Sequence, residues 1–305
     1  MSPTPTPSSR KGILMAGGAG SRQAPLTVAV SKQLLPVYDK PMVYYSLSVL
    51  MEAGVREILL IASPDDLPAY RRLLGDGADF GLALSYEAQP QPGGPAQALQ
   101  IGAAFVGTSP SCLVLGDNLF HGPAFIQALR GAAAQTEGAT VFAQRVAEPR
   151  QHSVVEIDPL NRPLSIEEKP ERPKSFWAVP GVYFYDGRAV EYAFRITPSL
   201  SGELEITDLN RIYLESGKLR VERLSRDTTW LDTGTPETLL EAANYVRAIQ
   251  SRMGIKLACP EEIAFRRGWI GAVDIVRRAE ALHRNSPYGD YLRIVAATRP
   301  EPSDG

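Results

Sequence analysis

The chain has 305 residues, of which 44% are apolar and 22% charged, and its formal net charge is -2. This balance is typical of a soluble globular protein and excludes an intrinsically disordered chain. The small net charge argues against nucleic-acid and anionic-membrane partners, which require clustered Lys and Arg. Because no run of about 18 apolar residues occurs, we expect no membrane-spanning helix.

The two ends of the chain differ in composition from the rest. Residues 1–10 alternate Pro with Ser and Thr and lack the apolar segment of a secretory signal, and residues 297–305 are similarly polar. Both ends are predicted to be disordered tails around a single domain, residues 11–296, with a core over residues 11–235 and a helical part over residues 236–296. Cys112 and Cys259 show no CxxC pattern, which favours reduced thiols and a cytoplasmic location.

Short apolar runs alternate with helical patterns in the first part of the chain. Strands are predicted over Gly12–Met15, Glu57–Ala62, Leu82–Glu87, Cys112–Leu115 and Thr140–Arg145. Helices are predicted between them, over Pro41–Ala53, Asp65–Leu74 and Pro95–Phe105. The alternation predicts an α/β fold with a Rossmann-like mixed, mostly parallel sheet flanked by helices. Ligands collect beyond the carboxyl ends of the strands in such a sheet.

The pattern becomes antiparallel from Val154 onward. The segments VVEID and LSIEEK flank a turn at Pro159–Asn161, and Ala178–Tyr185 is predicted as a further strand. This predicts a small antiparallel subregion that can close over a ligand. C-terminal helices are then predicted over Pro236–Arg252, Pro260–Arg267 and Ala272–His283.

The stretch KGILMAGGAGSRQAPL, residues 11–26, leads an apolar strand directly into glycines and an arginine. Gly17, Gly18 and Gly20 allow positive φ and close backbone approach, so successive N–H groups can face phosphate oxygens. Arg22 adds a permanent positive charge. A plain strand-to-helix turn is the alternative for this loop taken alone, and neither GxxxxGK[ST] nor GxGxxG fits it.

Six motifs in one order resemble those of the sugar-1-phosphate nucleotidyltransferase family, and most closely those of its thymidylyl-transferring members. The motifs are GGAGSRQAPLT (Gly17–Thr27), SKQLLPVYDKPM (Ser31–Met42), LGDN (Leu115–Asn118), EEKP (Glu167–Pro170), GELEITD (Gly202–Asp208) and WLDTGT (Trp230–Thr235). The resemblance runs from Lys11 to about Tyr291. It implies that dTTP and glucose 1-phosphate, or a related hexose 1-phosphate, are joined into a dTDP-sugar with release of pyrophosphate.

The same resemblance implies a role for each motif. It places Arg22 and Lys32 on the triphosphate, Lys169 on the sugar phosphate, and Mg²⁺ on Asp117 and Asp232. The implied nucleotide-binding residues are Gly17, Gly18, Gly20, Gln33, Gln89 and Gly94. The implied residues on the antiparallel, sugar-binding side are Ser153, Glu168, Lys169 and Trp230. A glutamine amide both donates and accepts, which suits the edge of thymine or uracil.

Without the resemblance, the residues leave other interpretations open. Asp117 and Asp232 could cap turns, and residues 167–169 could be a solvated charge run. His121, His152 and His283 show no ligand spacing, which argues against a zinc site. In the last third of the chain, four residues resemble a second nucleotide site that lies at subunit contacts and serves feedback inhibition. They are Arg226, Glu261, Glu262 and Arg266. A charged surface helix pair is the alternative there, and the family analogy implies a homotetramer built as a dimer of dimers.

Several positions depart from the family pattern, mostly on the sugar side. Ser201 stands where an arginine precedes GELEITD, and His152 and Ser153 replace a tyrosine-glycine pair. The remaining departures are Gln23, Gly93 and Pro95. The arginines that could replace the missing one are Arg145, Arg150 and Arg195. These departures motivate three alternatives: an altered sugar preference, a UTP-using relative, and a catalytically weak homologue that senses nucleotide sugars.

Overall fold

The computed structural model describes residues 10–18, 20–282 and 285–298. The strands are β1 (Lys11–Met15), β2 (Pro36–Val37), β3 (Lys40–Pro41), β4 (Glu57–Ala62), β5 (Ala83–Ala88), β6 (Ser111–Leu115), β7 (Asn118–His121), β8 (Ala139–Arg145), β9 (Val154–Ile157), β10 (Pro163–Glu167), β11 (Trp177–Ala178), β12 (Val182–Tyr185), β13 (Leu219–Arg223) and β14 (Thr229–Asp232). The helices are α1 (Val43–Glu52), α2 (Leu67–Leu74), α3 (Gln97–Ile101), α4 (Ala103–Val106), α5 (Pro123–Ala133), α6 (Ala189–Ala193), α7 (Ile206–Glu215), α8 (Pro236–Met253), α9 (Pro260–Arg266), α10 (Ala272–Ala281) and α11 (Pro287–Ala297).

A mixed, 10-stranded sheet forms the centre of the molecule, in the order β10-β9-β11-β8-β12-β6-β1-β4-β5, with β13 paired to β8. Strands β6, β1, β4 and β5 run parallel to one another, whereas β12 and the β9–β11 region introduce antiparallel pairs. The central strands are buried on both faces, which explains why β4 reads as a continuous apolar run. The predicted Rossmann-like α/β fold with its small antiparallel subregion and C-terminal helices is therefore confirmed.

The predicted helix over Pro95–Phe105 is wrong in its start and its continuity. It begins at Gln97, after a turn in which the Ala98 N–H donates to the Pro95 carbonyl (3.2 Å) and the Ala96 N–H donates to the Leu204 carbonyl (3.0 Å). It breaks at Gly102, which packs so closely on the sheet that a Cβ there would lie 3.2 Å from Ile13. Side-chain periodicity does not report such tertiary contacts.

The predicted strand over Ala178–Tyr185 is also divided. Strand β11 pairs with β8 and β9, and after Pro180 and Gly181 the chain continues as β12, which pairs with β6 and β8. The segment thus changes its neighbours in mid-course. Proline lacks the N–H that a continuous ladder would need.

Arg10, which the sequence places in the N-terminal tail, is buried in the structure. Its guanidinium donates to the carbonyl oxygens of Ser111 (2.8 Å) and Tyr185 (3.0 Å), so the ordered chain starts before β1. At the other end, α11 continues to Ala297, one residue past the predicted boundary. Residues 1–9, 283–284 and 299–305, and with them His283 and most of both predicted tails, lie outside the described residues.

Apolar side chains form buried clusters on both faces of the sheet. Cys112 lies in one of these clusters and Cys259 lies in a smaller cluster of the C-terminal helices, and both are free, buried thiols. The C-terminal helices add further small clusters of their own. Among the helices that the structure describes, none combines the length and apolar character needed to cross a membrane.

Candidate functional site

A cleft of about 310 Å³ opens beyond the carboxyl ends of β1 and β6. It brings together most of the residues that the motifs single out. The predicted site residues that line it are Gly17, Gly18, Gly20, Arg22, Lys32, Gln33, Gln89, Gly94, Asp117 and Lys169. Glu203, Gly234 and both prolines of the 92–95 loop complete its wall. Positions scattered over more than 150 residues of sequence therefore share one crevice.

The loop after β1 has the backbone geometry of an anion cradle. Gly18 has φ 114° and Gly20 has φ 56°, conformations that side chains disfavour. Gly20 is followed by a 3₁₀ turn, Ser21–Gln23, that carries Arg22. The Arg22 guanidinium lies against Gly234, where an added Cβ would be 3.1 Å from its Nη2. Arg22 is exposed and is therefore available to an incoming anion.

Two buried glutamines form the floor of the cleft. The Gln33 amide donates to the Gly17 carbonyl (3.1 Å) and accepts from the Ser31 hydroxyl (2.9 Å). The Gln89 amide donates from Nε2 to Oε1 of Gln97 (2.7 Å). Both side chains are 3% exposed, so their amide groups are held by protein contacts rather than by solvent. Such fixed amides can read the hydrogen-bonding edge of a ring.

The two aspartates of the LGDN and WLDTGT motifs come together through a strand pair that the sequence analysis did not predict. Asp117 lies in the turn between β6 and β7, and the antiparallel pairing of β7 with β14 sets Asn118 opposite Asp232. Thr233, the next residue, donates from both its N–H (3.2 Å) and its hydroxyl (2.8 Å) to the Asp117 carbonyl. The two carboxylates therefore share one corner of the cleft.

The two carboxylates differ in their surroundings. Lys32 Nζ lies 2.7 Å from Oδ2 of Asp117, and the Asn118 amide donates to Oδ1 (2.8 Å). Despite the cost of burial, the charge of Lys32 lowers the pKa of Asp117. Burial, and then the neighbouring charge of Asp117, raises the pKa of Asp232. Asp117 is therefore stabilised as a carboxylate by Lys32, whereas burial and the charge of Asp117 favour the protonated form of Asp232.

This donor set suits a hard divalent cation that completes its shell from a ligand. The described part of the chain contains no group of three or more His, Cys, Asp and Glu side chains that could enclose a metal by themselves. Two carboxylates with further oxygens from phosphates and water are what Mg²⁺ commonly takes. The residues present thus fit the metal that the sequence motifs imply.

Across the cleft, the EEKP motif presents an acid and a base side by side. Lys169 has a positive φ of 39°, and its Nζ lies 3.3 Å from Oε1 of Glu168. The other carboxylate oxygen of Glu168 accepts from the hydroxyls of Ser153 and Thr207, the latter at 2.6 Å. Ser153 thus orients Glu168 rather than simply occupying the space of a glycine. Lys169 remains 61% exposed at its side chain and can reach a ligand.

Trp230 is connected to the aspartate corner through an amide. Its indole Nε1 donates to Oδ1 of Asn118 (2.6 Å), and the same amide donates to Asp117. His152 packs edge-on against the indole, with ring centroids 5.1 Å apart. Burial lowers the pKa of His152. The departure at His152 is therefore accommodated by an aromatic contact.

The other departures also have structural partners. Gln23 is fully buried and donates to the Thr233 carbonyl (2.9 Å), which ties the Arg22 turn to the Asp232 segment. Ser201 is exposed and donates to Glu205 (3.3 Å). The three arginines considered as replacements for the missing one are absent from the described lining of the cleft: Arg145, Arg150 and Arg195. Arg195 instead pairs with Glu191 on α6.

The structure does not bring the four residues of the suggested second nucleotide site into one cavity. Glu262 and Arg266 line a separate cavity of about 240 Å³ beside α1 and α9. Glu261 is 1% exposed and accepts from Tyr288 (2.7 Å) and Arg278 (3.3 Å), which makes it part of the protein interior. Arg226 lies exposed in the loop before β14, outside that lining.

Three residues of the site were missed by the sequence analysis: Asn118, Thr207 and Gln97. Asn118 and Thr207 stand within motifs that were recognised, so their positions gave a usable signal. Gln97 begins α3 and carries no local signal, because its role depends on the fold bringing Gln89 to it.

Comparison with known proteins agrees with this geometry. The family described as "Nucleotidyl transferase" matches residues 11–248. The chain is 56% identical to a glucose-1-phosphate thymidylyltransferase of Neisseria gonorrhoeae over 282 residues, covering 92% of this chain and 98% of the relative. It is 54% identical to that of Xanthomonas campestris pv. campestris over 287 residues, covering 94% and 97%. A crystal structure from Bacillus anthracis, assigned as a glucose-1-phosphate thymidylyltransferase in complex with sucrose, is similar with a TM-score of 0.72 and 38% identity, covering 78% of this chain and 95% of that one.

Proposed function

The chain belongs to the nucleotidyl transferase family, and on that premise we propose that it joins dTTP to glucose 1-phosphate, giving dTDP-glucose and pyrophosphate. One observation carries the proposal: a single cleft collects Arg22, Lys32 and Lys169 around a carboxylate corner and two buried amides. Three cations in one crevice suit a reaction between two phosphates. The amides suit a pyrimidine base.

The phosphate of the sugar is already ionised at neutral pH, so the reaction requires positioning and charge neutralisation more than acid-base catalysis. The N–H groups of the glycine loop, with Arg22 and Lys32, hold the triphosphate and stabilise the pyrophosphate as it leaves. Lys169, which is largely exposed in the same cleft, draws the sugar phosphate in and aligns its oxygen with the α-phosphorus. Glu168, oriented by Ser153 and Thr207, accepts hydrogen bonds from sugar hydroxyls.

We propose further that Asp117 and Asp232 hold Mg²⁺. Burial and the charge of Asp117 raise the pKa of Asp232, and among the described residues its carboxylate forms no ion pair, whereas Asp117 pairs with Lys32. A divalent cation would relieve the repulsion between the two carboxylates. When bound, the ion supplies charge neutralisation at the reacting phosphate. Chelation should stop pyrophosphate release, and Mg²⁺ should restore it.

A pyrophosphate-release screen tests the proposed reaction. The purified protein is incubated with dTTP, UTP, dCTP or ATP, each paired with glucose, galactose or mannose 1-phosphate in the presence of Mg²⁺. We expect release with dTTP and glucose 1-phosphate, and a loss of at least about 100-fold in the Lys169→Met variant because one charge-assisted contact and its positioning are lost. Binding of dTTP without any pyrophosphate release would overturn the enzyme proposal in favour of a sensor.

We also propose that the cavity beside α9 binds a second nucleotide that inhibits the enzyme, and that the protein assembles as a homotetramer. Lys256 and Arg266 line that cavity and are the cations that a diphosphate would bind there. Lys256 pairs with Asp39 and Arg266 with Glu52 (3.4 Å), so a diphosphate would replace these carboxylates as their partner. Inhibition by dTDP-sugars that is lost in Lys256→Met, with dTTP kinetics unchanged, would support the regulatory site. Analytical ultracentrifugation tests the tetramer.

A further inference from the structure

Gly93 makes room for the side chain of Gln97. An added Cβ at Gly93 would lie 2.4 Å from Oε1, 2.5 Å from Cδ and 2.6 Å from Nε2 of Gln97. All three distances are shorter than non-bonded heavy atoms tolerate, so a larger residue at 93 would displace the Gln97 amide. Gly93 is one of the departures from the family pattern that the sequence analysis names. The absence of a side chain at Gly93 therefore leaves this space to the Gln97 amide.

Gln97 is in turn the hydrogen-bond partner of Gln89. The Gln89 Nε2 donates to Oε1 of Gln97 at 2.7 Å, and Gln89 is 3% exposed. Its own Oε1 then faces Gly17, where an added Cβ would lie 2.5 Å from it. If the Gln89 amide turned over while Gln97 stayed in place, the Oε1 atoms of Gln89 and Gln97 would face each other. Burial makes such a mismatch costly, because no water is at hand to solvate it.

The orientation matters because an amide reads a base by its donor and acceptor order. Thymine and uracil present an N–H at ring position 3, whereas cytosine presents an acceptor there. A Gln89 carbonyl that is held toward the cleft accepts a hydrogen bond from the N–H of thymine or uracil and repels the acceptor nitrogen of cytosine. The reversed amide would favour cytosine.

We propose that Gln97, admitted by Gly93, is a positioning residue that selects thymine and uracil nucleotides over cytosine nucleotides by holding the Gln89 amide in one orientation. The proposal rests on the proposed function in taking the cleft as the nucleotide site. It adds a residue outside the recognised motifs and a reason for one of the departures from the family pattern.

Paired substitutions at Gln97 test the proposal. Gln97→Leu removes the acceptor, whereas Gln97→Glu keeps it and cannot turn round to donate. The readout is the ratio of equilibrium binding constants for dTTP and dCTP, because effects on the shared triphosphate cancel in this ratio. We expect Gln97→Leu to reduce the ratio about tenfold, as for one buried hydrogen bond, and Gln97→Glu to keep or increase it.

Gly93→Ala provides an independent route to the same change. Its φ is outside the positive range, so the added Cβ acts only by pushing the flexible end of Gln97 away. It should reduce the dTTP/dCTP ratio as Gln97→Leu does, and the double variant should be no worse than either single one. This variant also keeps the test available if Gln97→Leu does not fold.

The outcomes separate the two proposals. An unchanged ratio in both Gln97→Leu and Gly93→Ala, or an equal fall in Gln97→Glu, overturns the positioning role. Because binding is measured without turnover, a wild-type protein that discriminates dTTP from dCTP but releases no pyrophosphate would contradict the proposed reaction and leave this inference standing.

Discussion

Replacing Lys32 with methionine should impair both the stability and the activity of the protein. Lys32 is 7% exposed, and its Nζ lies 2.7 Å from Oδ2 of Asp117. Methionine preserves the volume of the side chain but leaves the Asp117 carboxylate without its cation and close to Asp232. Removing one partner of a fully buried ion pair costs about 3–5 kcal/mol. The Asp117 side chain is 26% exposed, so water compensates in part and we expect about 2–3 kcal/mol.

The assay combines thermal unfolding of the metal-free protein with pyrophosphate release. Lys32→Met should lower the free energy of unfolding by the amount above. It should also lower turnover, because we propose that the same ammonium contacts the triphosphate. In the double variant Lys32→Met/Asp117→Asn, the unpaired charge is gone, so most of the stability should return while activity stays lost. A wild-type melting temperature in the single variant, or a double variant as unstable as the single one, would refute this reasoning.

Three further substitutions separate stability from function. Asp232→Asn should raise the free energy of unfolding of the metal-free protein by about 1 kcal/mol and abolish pyrophosphate release. The sign follows from the raised pKa of Asp232, because the folded state favours the protonated acid. The stability of the folded protein therefore falls as the pH rises from 3.8, the ordinary pKa of the side chain, through the raised pKa of the folded state. This pH dependence should disappear in the variant. Ser201→Arg should lower the KM for glucose 1-phosphate about tenfold with an unchanged KM for dTTP, and Ser201→Met is the matched control. Thr235→Ala removes the hydroxyl that accepts from the Thr238 N–H (3.2 Å) at the start of α8 and should cost about 1 kcal/mol in thermal unfolding; no loss would show that the cap contributes nothing.

The sequence predicted what depends on local pattern. The central parallel strands and the loop after β1 follow from apolar runs and glycines, and the structure has them within one residue at most boundaries. The closeness of Asp117 and Asp232 depends on the pairing of β7 with β14, two short strands that lie more than 100 residues apart. No periodicity specifies such a pairing, and only the resemblance to a family placed the two aspartates together.

The hydrogen-bond partners of the site were less predictable than its charged residues. A charge can be recognised from its residue type and motif, whereas the function of an amide or hydroxyl depends on which neighbour the fold gives it. Gln23 illustrates this: it departs from the family pattern, yet it is buried and bonded to the backbone after Asp232. Its location could not be inferred from composition or spacing.

Three of the departures from the family pattern lie in or contact one segment, residues 201–207. The Gly93 carbonyl accepts from the N–H of Leu204 (2.8 Å), Ser153 shares Glu168 with Thr207, and Ser201 itself begins the segment. This segment therefore contacts both the loop that contains Gly93 and the carboxylate of Glu168. The departures at Gly93, Ser153 and Ser201 are thus connected to one another through a single stretch of backbone. We therefore expect the preference for the sugar phosphate to depend on this segment together with its partners, so that exchanging one of these residues alone should change it less than exchanging them together.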